Sequence, residues 1–317
     1  MKKATFTGRG GDLFGIFLVN FLLTVITLGI YAPWARARYL RYMVGHIEFD
    51  GEPFEFHGKG GELFWGILKV LVVLFVLLLP YTVTIAAGEV ELALVFYGVF
   101  FLALLILIPV FLHGALRYTF SRLSWRGIRM TYTGQRGELL LLYLKGLFLT
   151  LITLGIYGPW FSCELLRYVY GHIRIGNVSF GFEGKGAELF IHYLLGFLFS
   201  LLTLGLYSPW FYVRVARFFV SHTYVEQEGK RSFFAFGLKG DEVLGFWIIR
   251  ILLAIVTLGI ATPWIIADWM KRRLDALSLE GDIDSQSLIQ HPVEDVGAMG
   301  FGFFDLGDGL WGSVFPL

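Results

Sequence analysis

The sequence predicts an all-α polytopic membrane protein, with about six transmembrane helices that come from five repeats. Hydrophobic residues make up 56% of the 317 residues, only 16% are charged, and the mean hydropathy is +0.67. An ordinary soluble domain of this length is far less apolar. The apolar residues are also gathered into runs of about 20, the length that crosses a hydrocarbon core as a helix. Between the spans we expect interfacial helices and short β-hairpins.

A nine-residue motif precedes each apolar run, and its recurrence defines the repeats. The copies of this pre-helix motif read FTGRGGDLF, FHGKGGELF, YTGQRGELL, FEGKGAELF and FGLKGDEVL. Phe6 and Tyr132 are 126 residues apart, and so are Phe56 and Phe182. This spacing predicts a duplicated double unit followed by a single fifth unit.

The pre-helix motifs divide the chain into three parts and a tail. We expect a first double unit at 1–130, a second at 131–235, a single repeat at 236–281, and a mobile acidic tail with Gly and aromatic residues at 282–317. The predicted spans are residues 13–32, 63–82, 93–112, 139–158, 189–208 and 243–262. The first run is long and has no cleavage site behind it, which indicates a retained span and not a signal peptide.

A corner motif ends most of the apolar runs. It reads TLGIYAPW, TLGIYGPW, TLGLYSPW and TLGIATPW, with Gly where a helix C-cap favours it and Pro where a new helix starts. We interpret it as a turn from a spanning helix onto the membrane surface. Its tryptophans are expected at the lipid–water boundary: Trp34, Trp160, Trp210 and Trp264. Cations recur eight residues after each Pro and are expected to contact lipid headgroups: Arg41, Arg117, Arg167, Arg217 and Lys271.

Short alternating segments follow the helices that begin at the corners. HIEFDGEPFEF, HIRIGNVSFGF and HTYVEQEGKRSFFAF each surround a Gly-containing turn and are typical of β-hairpins. An isolated hairpin is marginally stable. We therefore expect these hairpins to pack on the interfacial helices or to pair with each other.

Several polar residues lie inside the predicted spans, where charge is costly. They are Lys69, Lys145, Arg250, Glu188 and His192. The long cations can extend to the interface. The alternative is an inward-facing polar path through the bundle, in which Glu188 and His192, four residues apart, could relay a proton.

Motifs for chemistry are missing from the sequence. Cys163 has no counterpart in the other repeats and no GxSxG motif is present, so we predict no catalytic residues and no enzyme. His46, His172 and His222 occupy equivalent positions, but descent from a repeat explains them without a metal site. We expect no metal and no cofactor. The net charge of +1 provides no field for nucleic acid, which leaves membrane lipids as partners and any protein partner open.

The pre-helix motifs FHGKGGELF and FEGKGAELF, together with the TLGIYAPW-type corners, resemble the YjgN family of bacterial inner-membrane proteins. The resemblance covers residues 6–280 and implies a multi-pass protein of the bacterial cytoplasmic membrane. The family has no established activity, so it implies no catalytic residues. The second unit lacks the Gly and Trp of the corner, and the fifth has Ala261 in place of Tyr.

Two functions follow from these observations. Three spans between the first and third units would make those units antiparallel, as in the inverted repeats of many transporters. We therefore expect a carrier or channel for a small solute, ion or lipid. The alternative topology keeps all corners on one side of the membrane through re-entrant runs. The alternative function is a non-catalytic scaffold or envelope-maintenance factor that binds anionic lipid or a partner protein.

Overall fold

The chain is built from strand–helix–helix–strand units that follow one another in sequence. The computed structural model describes residues 2–281 together with Asp284 and Ile289, and the predicted tail lies otherwise outside the described residues. The strands are β1 Lys2–Phe6, β2 Ile47–Phe49, β3 Glu52–Phe56, β4 Leu123–Trp125, β5 Ile128–Tyr132, β6 Ile173–Ile175, β7 Val178–Phe182, β8 Thr223–Gln227, β9 Lys230–Phe236 and β10 Leu277–Glu280. The helices are α1 Gly10–Ile26, α2 Ala32–Gly45, α3 Gly60–Ala86, α4 Val90–Ser121, α5 Arg136–Ile152, α6 Gly158–Gly171, α7 Gly186–Leu202, α8 Ser208–Ser221, α9 Gly240–Val256 and α10 Thr262–Asp275.

The strands close into one antiparallel barrel. Each strand pairs with its neighbours along the chain, and β1 pairs with β10 to complete the circle. Inside a unit, the strand before the helices pairs with the strand after them, as in Phe6 opposite Ile47 and Phe56 opposite Leu123. Each pair of helices therefore leaves and re-enters the barrel at the same end. Tight turns connect the units at the opposite end, where Asp50 and Gly51 both have positive φ, as a type I′ turn requires.

The prediction of an all-α protein with six transmembrane helices is therefore wrong. The predicted hairpins do not remain separate. The first residue of each pre-helix motif is the last residue of a strand, and these strands pair with the strands of neighbouring hairpins to form one sheet. Strands of three to seven residues are weak alone, but a closed barrel leaves no edge unpaired. The local hydrophobic pattern of such short strands is too brief to reveal that closure.

Only two of the helices in residues 2–281 are long and apolar enough to cross a membrane, namely α3 with 27 residues and α4 with 32. Just 17% and 11% of their most apolar windows are buried inside the protein, unlike the core helix of a soluble domain. α1, α5, α7 and α9 have 17 residues each and span about 25 Å at 1.5 Å per residue. Four of the six predicted spans (13–32, 139–158, 189–208 and 243–262) extend past the end of their helices, because the apolar run continues through the corner. The other two, 63–82 and 93–112, lie inside α3 and α4.

The corner is a tight turn at the tip of a helix hairpin. The Thr27 hydroxyl donates to the Leu23 carbonyl at 2.7 Å and accepts from the Tyr31 N–H at 3.0 Å. Leu28 and Gly29 have φ of 50° and 91°, and the Gly29 N–H bonds the Thr24 carbonyl in a glycine C-cap. The chain then folds back, so the second helix packs against the first as the other arm of a hairpin. The interfacial helices of the prediction are therefore also corrected.

All helix hairpins in the described chain project from one end of the barrel, since every first helix follows a strand that runs toward that end. The expected inverted arrangement of the first and third units is wrong for this reason. The alternative topology, with all corners on one side, agrees with the structure.

The helices form a ring in which neighbouring units interlock. The first helix of each unit packs on the second helix of the preceding unit, and α1 packs on α10 to close the ring. Trp34 of the first corner lies on Gly60 at the start of α3, with its ring 5.4 Å from that of Phe64. The same contact joins Trp160 to Gly186, Trp210 to Gly240 and Trp264 to Gly10. The glycine of each of these pre-helix motifs thus packs directly against the tryptophan of the preceding corner.

Candidate ligand cavity in the barrel

The barrel encloses an apolar cavity of about 440 Å³. An eight-stranded barrel is just wide enough for its own side chains to fill, so a wider one leaves space. Every strand of the barrel turns alternate residues inward, and those that line the cavity include Phe49, Trp125, Phe180, Val225 and Phe234. Aromatic and aliphatic walls of this kind are typical of sites for apolar ligands.

The cavity extends out of the barrel along two helices, α2 and α10. Tyr39 and Met43 of α2 face it, as do Trp269 and Met270 of α10. In the opposite part of the ring, Phe120 of α4 is fully buried in the packed core. The open space is therefore off-centre, next to the junction where the fifth unit meets the first.

Two arginines line the helical part of this cavity. Arg36 of α2 lies over the ring of Tyr39, with its Cζ 5.3 Å from the ring centroid, and Arg273 of α10 lies over Trp269 at 5.8 Å. Among the lining residues of the described chain these two are the charged ones, and none is a carboxylate. A guanidinium group keeps its charge when half-buried. The arrangement joins apolar walls to a cationic end.

The volume and lining of this cavity are those of a small-molecule binding site. Small-molecule sites are commonly about 300–1,000 Å³, largely apolar, with a few polar groups that fix orientation. No group of three or more potential metal ligands exists among the described residues. Burial raises the pKa of the Cys163 thiol to about 11, so this thiol is protonated at neutral pH and is a poor nucleophile.

The predicted polar path is distributed over separate hairpins. Lys145 Nζ lies 3.5 Å from Glu164 of the same hairpin, and the Arg250 guanidinium pairs with Asp268 of its own hairpin. Lys69 is exposed on α3. The structure does not bring these three cations together, and none of them lines the barrel cavity.

Glu188 and His192 do lie together, in a second, polar groove beside the fourth hairpin. Glu188 Oε2 is 3.6 Å from His222 Nε2, and Arg214 and Lys239 line the same groove of about 560 Å³. Burial lowers the pKa of His192, so its imidazole is neutral at pH 7. The pair is separate from the barrel cavity.

The basic residues expected at the lipid headgroups connect neighbouring units. Arg41 donates to the Gly58 carbonyl at 3.1 Å, Arg167 to the Gly184 carbonyl at 2.8 Å, and Arg217 to the Leu238 carbonyl at 2.9 Å. Each acceptor belongs to the pre-helix motif of the next unit. Arg117 is half-buried on α4 and Lys271 is exposed on α10.

The aligned histidines have a local role. The Nδ1 atoms of His46, His172 and His222 each lie 2.7 Å from the carbonyl oxygen four residues earlier, at the end of a second helix. The rings of His46 and Tyr42 also pack at 4.1 Å. Each histidine therefore makes these contacts with residues of its own unit.

Sequence reasoning did not identify Arg36 and Arg273. Arg36 is the third residue after its corner proline and Arg273 is the tenth. These two positions of the repeat are seven residues apart, so they lie on the same face of the second helix. Comparing these positions across the repeats would have marked both arginines as exceptions. What the sequence alone lacked was the knowledge that this face borders a cavity.

The chain is similar to a family described as "Bacterial protein of unknown function (DUF898)", whose model matches residues 1–201 and 177–231. It is 37% identical over 127 residues to "Inner membrane protein YjgN" of Salmonella typhimurium, and 34% identical over 128 residues to the protein of that name in Escherichia coli K12. Each match covers 40% of this chain and 30% of the relative, so the chain matches less than a third of the relatives' length. No solved structure matches.

Proposed function

Because the chain belongs to the DUF898 family of bacterial proteins of unknown function, and is similar to proteins named for the inner membrane, we propose that it is an inner-membrane carrier for a lipid-like molecule. Its helix hairpins enter the bilayer, and its barrel holds the molecule outside the hydrocarbon core. The observation that supports this most strongly is the apolar cavity that leads from the helix ring into the barrel.

The hairpin tips support insertion into a membrane. Leu28, Leu154, Leu204 and Leu258 are 92–95% exposed, and all of them lie at the end of the molecule away from the barrel. Large apolar side chains so exposed in water are unfavourable, whereas acyl chains accept them. In this proposal α3 and α4 cross the bilayer, and the shorter hairpins enter it from the barrel side.

The position of the cavity supports transfer of a lipid. It begins between helices whose tips face the bilayer and continues into the barrel. Its walls are apolar along most of this length, so an acyl chain can move from the bilayer into the barrel without losing apolar surroundings. A carrier needs such an access route for its cargo.

The scaffold alternative has weaker support. It rested on basic residues that contact lipid phosphates, but Arg41, Arg167 and Arg217 donate to backbone carbonyls of the next unit. An ion route through Lys69, Lys145, Arg250, Glu188 and His192 stays a prediction. Leucine at these positions should abolish ion flux in vesicles if that route exists.

The test of the carrier is the lipid that leaves the membrane with the protein. We expect a lipid-like molecule, identified by mass spectrometry, in near-stoichiometric amount in the purified full chain. Met43→Trp fills the cavity and should displace most of it. Ile251→Trp, at an exposed position of α9, is the matched control and should retain it. Equal lipid in both variants, or none in the unchanged protein, would contradict the proposal.

A further inference from the structure

We propose that Arg36 and Arg273 form a headgroup site, so that the cavity selects a single-chain amphiphile with an anionic carboxylate or phosphate head. This inference rests on the proposed carrier function and specifies its cargo. The tail of the amphiphile lies in the barrel, and its head lies between α2 and α10.

The distribution of charge within the cavity fixes the orientation. The barrel part is lined by residues such as Phe49, Leu123 and Val178, whereas both arginines belong to the helical part. An anion taken out of water needs a paired cation and hydrogen-bond donors. Guanidinium groups supply both, and their planar geometry suits the two oxygens of a carboxylate or phosphate. The head therefore binds at the helices and the tail extends into the barrel.

Comparison of the units shows that a cation at these two positions is not part of the repeat. Three residues after the corner proline, the position of Arg36 is occupied in the other units by Leu112, Ser162, Tyr212 and Ile266. Ten residues after it, the position of Arg273 is occupied by Met43, Thr119, Val169 and Phe219. The two cations stand on the two helices that border the open space, α2 and α10. Their placement thus follows the cavity and not the repeat.

A neighbouring hydroxyl adds a donor that is not used within the described chain. The Tyr212 hydroxyl is buried and has no hydrogen-bond partner among the described residues. Its ring lies 5.7 Å from that of Trp269, which lines the cavity and carries Arg273 on its face. Buried hydroxyl groups usually have a partner. Tyr212 does not itself line the cavity, so its hydroxyl supports the headgroup site only through the contact of its ring with Trp269.

The size of the cavity limits the number of chains. About 440 Å³ is near the lower end of the ~300–1,000 Å³ range of small-molecule sites. That volume suits one acyl chain with a compact head and is too small for a two-chain phospholipid. The inferred class therefore comprises long-chain fatty acids and single-chain alkyl phosphates.

The test measures binding of three probes with one chain length to the full-length protein in detergent: a fatty acid, an alkyl phosphate and a fatty alcohol. At least one anionic probe should bind about 10- to 100-fold more tightly than the alcohol, since hydrogen bonds to charged groups contribute ~1.5–3 kcal/mol. The anionic probe that binds more tightly identifies the head, and either result supports the inference.

Paired variants separate the headgroup site from the carrier function. The double variant R36Q/R273Q should bring the anion to the affinity of the alcohol and leave alcohol binding unchanged. Arg38→Gln, at an exposed position of α2, is the control and should change neither. Circular dichroism and gel filtration would establish that each variant is folded. R36K/R273K keeps the charges and should retain most of the preference.

The outcomes that overturn the inference differ from those that overturn the carrier. If anion and alcohol bind equally tightly, and Met43→Trp blocks both, the carrier stands and the headgroup site is wrong. The headgroup site is also wrong if R36Q/R273Q keeps the preference for the anion. If no probe binds and no lipid is purified with the protein, the carrier itself is wrong.

Discussion

At the scale of single residues, the corner motif has a structural role, and the proposed insertion of the hairpin tips would give it a second one. Thr27 caps the tip with its hydroxyl, and Thr153, Thr203 and Thr257 make the same pair of bonds. The leucine that follows each Thr has a φ of 49–51°, a region that costs energy for a branched side chain. An asparagine would fit this backbone better. Leucine at all four tips is explained by the apolar surroundings that the tips would meet in a bilayer.

The arginines between units allow a prediction on stability. Arg167→Met removes the charged donor to the Gly184 carbonyl and should lower the free energy of unfolding by about 1 kcal/mol, since the residue is exposed although this hydrogen bond is partly buried. Arg174→Met, at an exposed position of β6, is the control and should be nearly neutral. Denaturant unfolding in detergent measures both. Equal losses in the two variants would mean that the carbonyl contact contributes nothing.

The buried cysteine allows a prediction on reactivity. Because burial raises the pKa of Cys163 to about 11, the folded protein should react slowly with a thiol reagent at pH 7–9 and more quickly only as the pH approaches 11. Unfolding in denaturant should make labelling fast at pH 8. A chromogenic disulfide reagent measures both rates. Fast labelling of the native protein at pH 7.5 would show that the thiol is accessible.

At the scale of elements, the contact between neighbouring units explains why pre-helix motifs and corners occur together. A glycine of the pre-helix motif brings the start of one helix against the tryptophan of the previous corner, and the same strand–helix–helix–strand order carries both. The sequence alone predicts these tryptophans at the lipid–water boundary. Trp34 and Trp210 are each 37% exposed, so one edge can still reach a membrane while the rest packs on the next unit.

Two adjacent glycines provide a matched test of this contact. In Gly60→Ala the new methyl group would lie 2.7 Å from the Trp34 Cα, so backbone must move, and we expect a loss of about 1–3 kcal/mol. Gly61→Ala meets nothing within 4 Å and should be neutral or slightly stabilising, since Ala favours helix over Gly. Thermal unfolding of both variants measures the difference. If Gly60→Ala is as stable as Gly61→Ala, the packing of Trp34 on the start of α3 is not tight.

At the scale of the whole molecule, closure of the barrel determines at which of its two ends the helix corners and the strand turns lie. Each unit begins and ends in the barrel, so all the corners of the described chain share one end. The turns between strands share the other end, and the long α3–α4 hairpin projects from the helical end.

Labelling of single cysteines tests the sidedness. In a Cys163→Ser background, Gly51→Cys and Gly127→Cys at barrel turns should react with an impermeant thiol reagent from one and the same side of the membrane. Gly155→Cys and Gly205→Cys at hairpin tips should stay protected in intact membranes and react after detergent is added. All four glycines have positive φ, so the strain is matched. Tips that react from the aqueous phase would contradict insertion.

Much of the local structure could be predicted from the sequence. Gly29, Pro33 and their equivalents correctly indicated a helix end followed by a helix start, and the resemblance to the family was confirmed. The expected β-turns exist at Asp50-Gly51 and Glu228-Gly229. The number of spans was wrong because hydropathy does not distinguish a helix from the apolar turn that follows it.

The sequence by itself determined the local elements, since caps, turns and apolar runs depend on residues close together in the chain. Only the tertiary structure decided that the strands join into a barrel and that Arg36 and Arg273 face one cavity. β1 and β10 pair across Lys2 and Leu279, and Arg36 and Arg273 come from the first and last units. Contacts between such distant residues depend on closure of the whole chain, which no local pattern specifies.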